Sequence, residues 1–153
     1  MNKCYFKRPG QEPIIKEFDY NEPLRTTLEQ PEFTVGHHTI MLEDGIRWYA
    51  FFDDNGIMDH EEGLVEYNCN LPSDNPEMQN QIFGNLVIMK IQHLIDSPNF
   101  DISKMEFYSE EEYEKCIDVT EEDLKWLEHI IFTVPEDQLY SKETVENFWK
   151  RYL

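Results

Sequence analysis

Lysine and arginine are missing from one long stretch of this chain: there is none from Trp48 to Met89. That gap excludes a cationic nucleic-acid or anionic-membrane surface there, because both need positive charge set against phosphate. Cysteine is sparse too. Cys4, Cys69 and Cys116 are far apart, odd in number and lack C-x-x-C spacing, so neither a disulfide framework nor a zinc site is indicated, and a reducing cytoplasm fits. Glycine occurs six times, with no cluster of the kind that cradles phosphate. No apolar run approaches the ~20 residues of a membrane span, and the opening MNKCYFKRPG lacks the apolar core of a signal peptide. These absences predict a soluble protein that is not exported.

What is present is acid on a foldable body. The 153 residues carry 32 Asp and Glu against 13 Lys and Arg, a formal charge of -19. Residues 48–153 hold 24 of those acids and seven of the bases. Aromatic residues make up 14%, which argues against disorder and for a core. At this length one domain is expected, burying roughly two-thirds of the chain's surface.

Residues 3–7 and 13–19 read as strands of an opening hairpin across Pro9-Gly10. Asn21 and Pro23 suggest a short helix over 22–30, ending before Pro31. Strands are predicted at 38–42 and 46–53, joined at Asp44-Gly45, and Asn55-Gly56 reads as a further hairpin turn. From 59 to 77 the pattern is that of a long loop around a short strand at 64–67. Residues 82–91 form an apolar run whose period does not separate strand from helix; we assign strand, then one or two helical turns. Ser109 with Glu112 and Thr120 with Asp123 are capping-box signals, the second the weaker. Leu124, Leu127, Ile130, Ile131 and Val134 define an apolar face ended by Pro135. Ser141 caps a last helix in which Val145, Phe148, Trp149 and Tyr152 form an aromatic stripe assigned to the core. The expected fold is α+β: a small antiparallel meander sheet with one short helix over 1–96, then a helical extension of two or three helices over 97–153 on the same core.

Catalytic signals are weak. Residues 53–62 look like a calcium loop, but the glycine is fourth where that loop needs it sixth. His37, His38, His60, His93 and His129 lack metal-ligand spacing. Cys69 and Cys116 sit among acids, which raise a thiol pKa. No enzyme activity, metal or cofactor is expected.

An ordered series of features carries a resemblance. It comprises an opening strand with a Pro-containing link, a short helix over 24–30, a strand pair meeting at Leu42-Glu43-Asp44-Gly45, and a strand running into Asp54-Asn55-Gly56. A loop with Gly63-Leu64 and Asn68 follows, then the strand Ile82-Phe83-Gly84-Asn85-Leu86-Val87-Ile88 and the acidic helix start at Ser109-Glu110-Glu111-Glu112. Over about residues 3–115 this resembles a small domain-of-unknown-function family of phages, plasmids and integrative elements. That family has a Gly-Leu-Pro-x-Asn stretch; here Gly63-Leu64-Val65 leads to Asn68 without the proline. The resemblance implies a mobile-element product with a small α+β fold, and brings no catalytic residue.

The bland reading of the acids is a solubilising surface. A compact chain of this length is ~40 Å across, the span of about one turn of B-DNA with ~20 phosphates, so the carboxylate density suits imitation of a duplex. The leading expectation is therefore a cytoplasmic anti-defence inhibitor of a host nuclease or other nucleic-acid-binding protein, working by nucleic-acid mimicry. Its partner-binding acids would be Asp53, Asp54, Asp59, Glu61, Glu62, Glu66, Asp74 and Glu77, and Glu110, Glu111, Glu112, Glu114, Asp118, Glu121, Glu122 and Asp123. The alternative is sequestration of a nucleotide immune signal in a pocket built from Lys3, Lys7, Arg8, Lys16, Arg25 and Arg47 with Tyr5, Phe6 and Trp48.

Overall fold

The computed structural model describes residues 1–43, 45–72 and 80–151. The chain is α+β. Its strands are β1 (Asn2–Lys7), β2 (Ile14–Phe18), β3 (Val35–Glu43), β4 (Ile46–Asp53), β5 (Tyr67–Leu71), β6 (Asn80–Phe83), β7 (Leu86–His93) and β8 (Glu114–Ile117). The helices are α1 (Leu24–Leu28), α2 (Gly56–Glu61), α3 (Glu110–Tyr113), α4 (Glu121–Ile130) and α5 (Lys142–Lys150), with 3₁₀ segments at Leu94–Asp96, Ile102–Phe107 and Glu136–Gln138.

The main sheet runs β2-β1-β7-β4-β3, all antiparallel, with β8 also on β7; β5 and β6 form a separate pair. Consecutive strands pair in β1-β2, β3-β4, β5-β6 and, across a long connection, β7-β8, and β7 joins the β1-β2 hairpin to the β3-β4 hairpin. β7 pairs with β1 through Leu86 to Ile88 and with β8 through Lys90 to His93. This central place explains the apolar run that periodicity left open. Leu86 and Ile88 face one core, with Tyr5, Trp48, Ala50, Leu71, Ile82 and Leu127. Val87, Met89 and Ile91 face a second, with Cys4, Phe6, Phe18, Leu28 and Cys116. A strand buried on both faces needs no polar alternation, and each fully buried large apolar side chain contributes about 1.5–3 kcal/mol.

The two faces are covered unequally. β5-β6 and α4 close the first. Asn70 N donates to Phe132 O at 2.7 Å, Val134 N donates to the Tyr67 hydroxyl at 3.1 Å, and Leu127 is fully buried. The second face has α1, whose Leu28 enters the core, and the side chains Tyr20, Val35, Tyr49 and Phe51 packed at its margin.

Several boundaries differ from expectation. Asn55-Gly56 opens α2 and is not a hairpin turn; the Gly56 backbone lies against the Phe83 side chain, where a Cβ would come within 3.1 Å. The strand expected at 64–67 starts instead at Tyr67, because α2 and its turn occupy the preceding residues. The run 82–91 divides at Gly84 (φ 79°) into β6 and β7. α1 is shorter than 22–30 and has no side-chain cap; Asn21 N instead donates to Asp19 Oδ1. β8 was not anticipated, and it makes the region after residue 96 part of the main sheet. Asp44 of the expected Asp44-Gly45 turn lies outside the described residues.

The caps hold. Ser109, Thr120 and Ser141 accept from the N–H groups of Glu112, Asp123 and Thr144. Thr120-Asp123, the weaker signal in sequence, is the complete reciprocal box. In α5, Phe148 is buried but Trp149 is 57% exposed, so Trp149 is no core residue. Tyr152 lies outside the described residues.

Candidate functional site

The described acids predicted between residues 53 and 77 divide between core and surface. Asp53 is 3% exposed, which removes it from any partner contact. Its Oδ1 accepts from Asn55 N at 2.9 Å, while its buried Oδ2 receives no bond from an N–H or hydroxyl group. The carboxyl beside it is Asp59 of α2. Burial, then this neighbour, pushes Asp53 from its ordinary value near 3.8 up to about 7. Asp54, Glu61, Glu62 and Glu66 are exposed, and Asp59 is half-buried. Asp74 and Glu77 lie outside the described residues. Asp53 and Asp54 line a cleft of about 250 Å³ with Lys142, Val145 and Trp149 of α5.

The second group is more coherent. Glu110, Glu111, Glu112, Glu114, Asp118, Glu121 and Glu122 are all exposed. Three adjoin the first turn of α3 and two, joined there by Asp123, that of α4, where carboxylates complement free N–H groups. Four ion pairs join described side chains, Arg8–Glu29, Lys16–Glu29, Arg47–Asp96 and Lys90–Asp123, and none engages these seven exposed acids. Asp123 is therefore a structural acid: burial would raise its carboxyl, but hydrogen bonds from Thr120 and Lys90 outweigh burial and hold it below the usual range.

These acids border concave surface. A cleft of about 820 Å³ is lined by Glu111, Glu112 and Glu114 together with Lys115 and Asn2. Another, about 440 Å³, is lined by Glu110, Glu111, Tyr113 and Glu114. A third, about 500 Å³, lies on the less covered sheet face, among Tyr20, His37, Tyr49, Phe51, His93 and Glu114. All three share Tyr20 and Glu114, and the Tyr20 hydroxyl donates to the Glu114 carboxylate. Acidic wall and aromatic floor therefore meet at one pair of residues.

The floor follows from strand alternation. On β4, Trp48 and Ala50 point into the first core, leaving Tyr49 and Phe51 on the other face. Their rings stack with centroids 6.1 Å apart, and the Tyr49 hydroxyl is 3.0 Å from His93 Nε2. Burial, then Arg47, holds His93 below its ordinary pKa, so the ring is neutral near pH 7. Arg47 is tied to Asp96 by two hydrogen bonds of 2.8 and 3.0 Å. The sequence reading missed this floor; the signal for it was the run Trp48-Tyr49-Ala50-Phe51-Phe52, four aromatics in five residues, too apolar for a strand with a wet face.

Of the basic and aromatic set of the alternative reading, the structure brings together Arg8, Lys16 and Phe6, with both cations 4.7 Å over that ring, and places the other named side chains elsewhere. Tyr5, Phe6 and Trp48 are core side chains. Lys7 donates to Asn68, Arg8 pairs with Glu29, Lys16 donates to Thr27 O and lies over Phe6, and Arg47 pairs with Asp96. Lys3 borders a cleft whose other charged residues are Glu17, Asp118 and Glu121. The thiols are also poor nucleophiles, chiefly through burial: Cys4 and Cys69 are pushed up to about 12 and Cys116 to about 11. For Cys69 neighbouring acids are not the cause, since its charged neighbour is Lys7, which opposes the rise.

Among the described residues no cluster of His, Cys, Asp and Glu has metal-binding geometry, and no helix is long and apolar enough to cross a membrane. Compared with known proteins, the chain matches no family model, no curated protein and no solved structure.

Proposed function

We propose that this protein acts by binding a basic protein surface, as a mobile-element inhibitor of a host nuclease or other nucleic-acid-binding defence protein. The observation that carries the reading is the group of exposed carboxylates Glu110, Glu111, Glu112 and Glu114, which no described ion pair engages and which lines three adjoining clefts. Helix-terminus electrostatics accounts for acids at the starts of α3 and α4. It does not account for Glu114, which adds charge outside those first turns; Asp118 lies outside them too, but its Oδ1 accepts from Lys3 N at 3.0 Å. Self-repulsion on a small domain opposes folding, and a basic partner relieves it. The sequence resemblance to a mobile-element family supports the biological setting.

Relative to the sequence reading the interface moves. Asp53 and Asp123 leave it because each is spent inside the fold, and the Glu110–Glu122 region becomes its centre. The test is competition. The protein is titrated into complexes of bacterial defence nucleases with labelled duplex DNA at two salt concentrations. Displacement of DNA, weakening steeply as salt rises, is expected from several screened Lys/Arg–carboxylate contacts. A ternary complex, or binding indifferent to salt, would refute it.

A further inference from the structure

We propose that the aromatic trough beside Glu114 is a socket for one guanidinium or ammonium side chain of the basic partner, and so anchors the interface. The inference rests on the reading above for the partner's charge, but its geometry is separate. Tyr20, Tyr49 and Phe51 stand at the margin of the second core and leave a hollow of about 500 Å³ with Glu114 at its edge.

Three properties select a cation. Ring faces attract positive charge within ~6 Å of their centroids, more strongly when water is excluded. Glu114 supplies the counter-charge, with Glu110 and Glu111 in the cleft next to it. Of the bases nearby, Arg47 is held by Asp96 and His93 is kept neutral, while Lys115 stands in the adjoining cleft and outside the hollow itself. A long apolar stem ending in a charge suits such a hollow: the stem lies on Met89 and Ile91 while the head reaches Glu114. Arginine satisfies this best, because its planar head both stacks and forks onto a carboxylate. A second copy of this chain is disfavoured as occupant, because each copy would bring the same acidic row to the contact.

The full chain is examined by NMR through the methyl groups of Met89 and Ile91, which line the hollow. Three probes are compared: a capped Gly-Arg-Gly peptide, the same peptide with neutral citrulline for arginine, and adenosine. The expected result is saturable movement of both methyl signals with the arginine peptide alone. Its affinity should fall on the order of tenfold in Glu114→Gln and in Phe51→Leu, in line with loss of a charge contact or a ring face. Glu114 is exposed, so its variant keeps the test valid if Phe51→Leu unfolds. Equal binding of citrulline or adenosine would overturn the proposal. So would unchanged affinity in Glu114→Gln, or concentration-dependent dimerisation that shifts the same methyl signals without peptide. Failure of DNA competition with arginine-specific binding intact would remove the mimicry reading and leave the socket standing.

Discussion

Replacing Asp53 by asparagine should change how the stability of this protein depends on pH. In the folded chain Asp53 holds its proton up to about pH 7, because it is buried against Asp59; unfolded, it releases that proton near 3.8. Between those values the folded state binds the extra proton, so stability falls as pH rises through the window. The span is about three pH decades, each worth ~1.4 kcal/mol, which sets a ceiling of ~4 kcal/mol lost between pH 4 and pH 7. That is a large share of the ~5–15 kcal/mol that holds a domain folded. Asparagine can still accept from Asn55 N through its carbonyl oxygen and can donate to Asp59, but it does not titrate. Urea unfolding of both proteins from pH 5 to pH 8 covers about two of those decades and should therefore show Asp53→Asn gaining on the wild type by up to ~2.6 kcal/mol across the range. Parallel curves would show that Asp53 ionises normally, and the account of its burial against α2 would fall. Acids with depressed values, Asp96 and Asp123, act in the opposite sense, losing their stabilisation as pH drops below the ordinary carboxylate value.

Other expectations concern packing and backbone. Phe148→Ala should cost ~3 kcal/mol or more in urea unfolding and Trp149→Ala much less, since the first ring is buried and the second is mostly exposed; similar losses would return Trp149 to the core. Thr120→Ala removes one half of the reciprocal cap of α4 and should cost ~1 kcal/mol, whereas an unchanged midpoint would mean that Asp123 alone secures that helix start. Gly84→Ala should cost ~2 kcal/mol or more. Its φ of 79° disfavours a side chain, and the new Cβ would meet the Gln30 amide at 2.8 Å, disturbing the bond from Asn85 N to Gln30 Oε1. A stability within 0.5 kcal/mol of wild type would show that the turn relaxes freely. Reversing Glu110, Glu111 and Glu114 to Lys should abolish partner binding with unchanged circular dichroism.

Local chemistry was legible in the sequence and distant pairing was not. Ser109, Thr120 and Ser141 cap helices because the bonds they make reach three residues along the chain. The opening hairpin and the strand starting at Ile46 likewise depend on near neighbours and turns. β8 escaped because Glu114 to Ile117 carries mixed charge and becomes a strand through pairing with Lys90 to His93. Asn55-Gly56 misled because the glycine answers to Phe83 packed over it, a contact that no turn rule encodes. The acids show the same limit. Their number is plain in the sequence, yet only packing separates buried Asp53 and paired Asp123 from the exposed row between Glu110 and Glu122.

The position of β7 has a consequence for biosynthesis. Both early hairpins are complete in the nascent chain before β7 has been made, and each then carries an open edge that nothing yet occupies. Such edges recruit other strands, and the contacts that close them join distant parts of the chain, which makes closure slow. As Leu86 to His93 leave the ribosome, one strand takes both edges, and β8 fills the remaining length beside it. A chain interrupted before Leu86 should therefore yield two sticky ribbons and no smaller folded unit. The productive and aggregating fates of this protein are decided within the synthesis of a few residues.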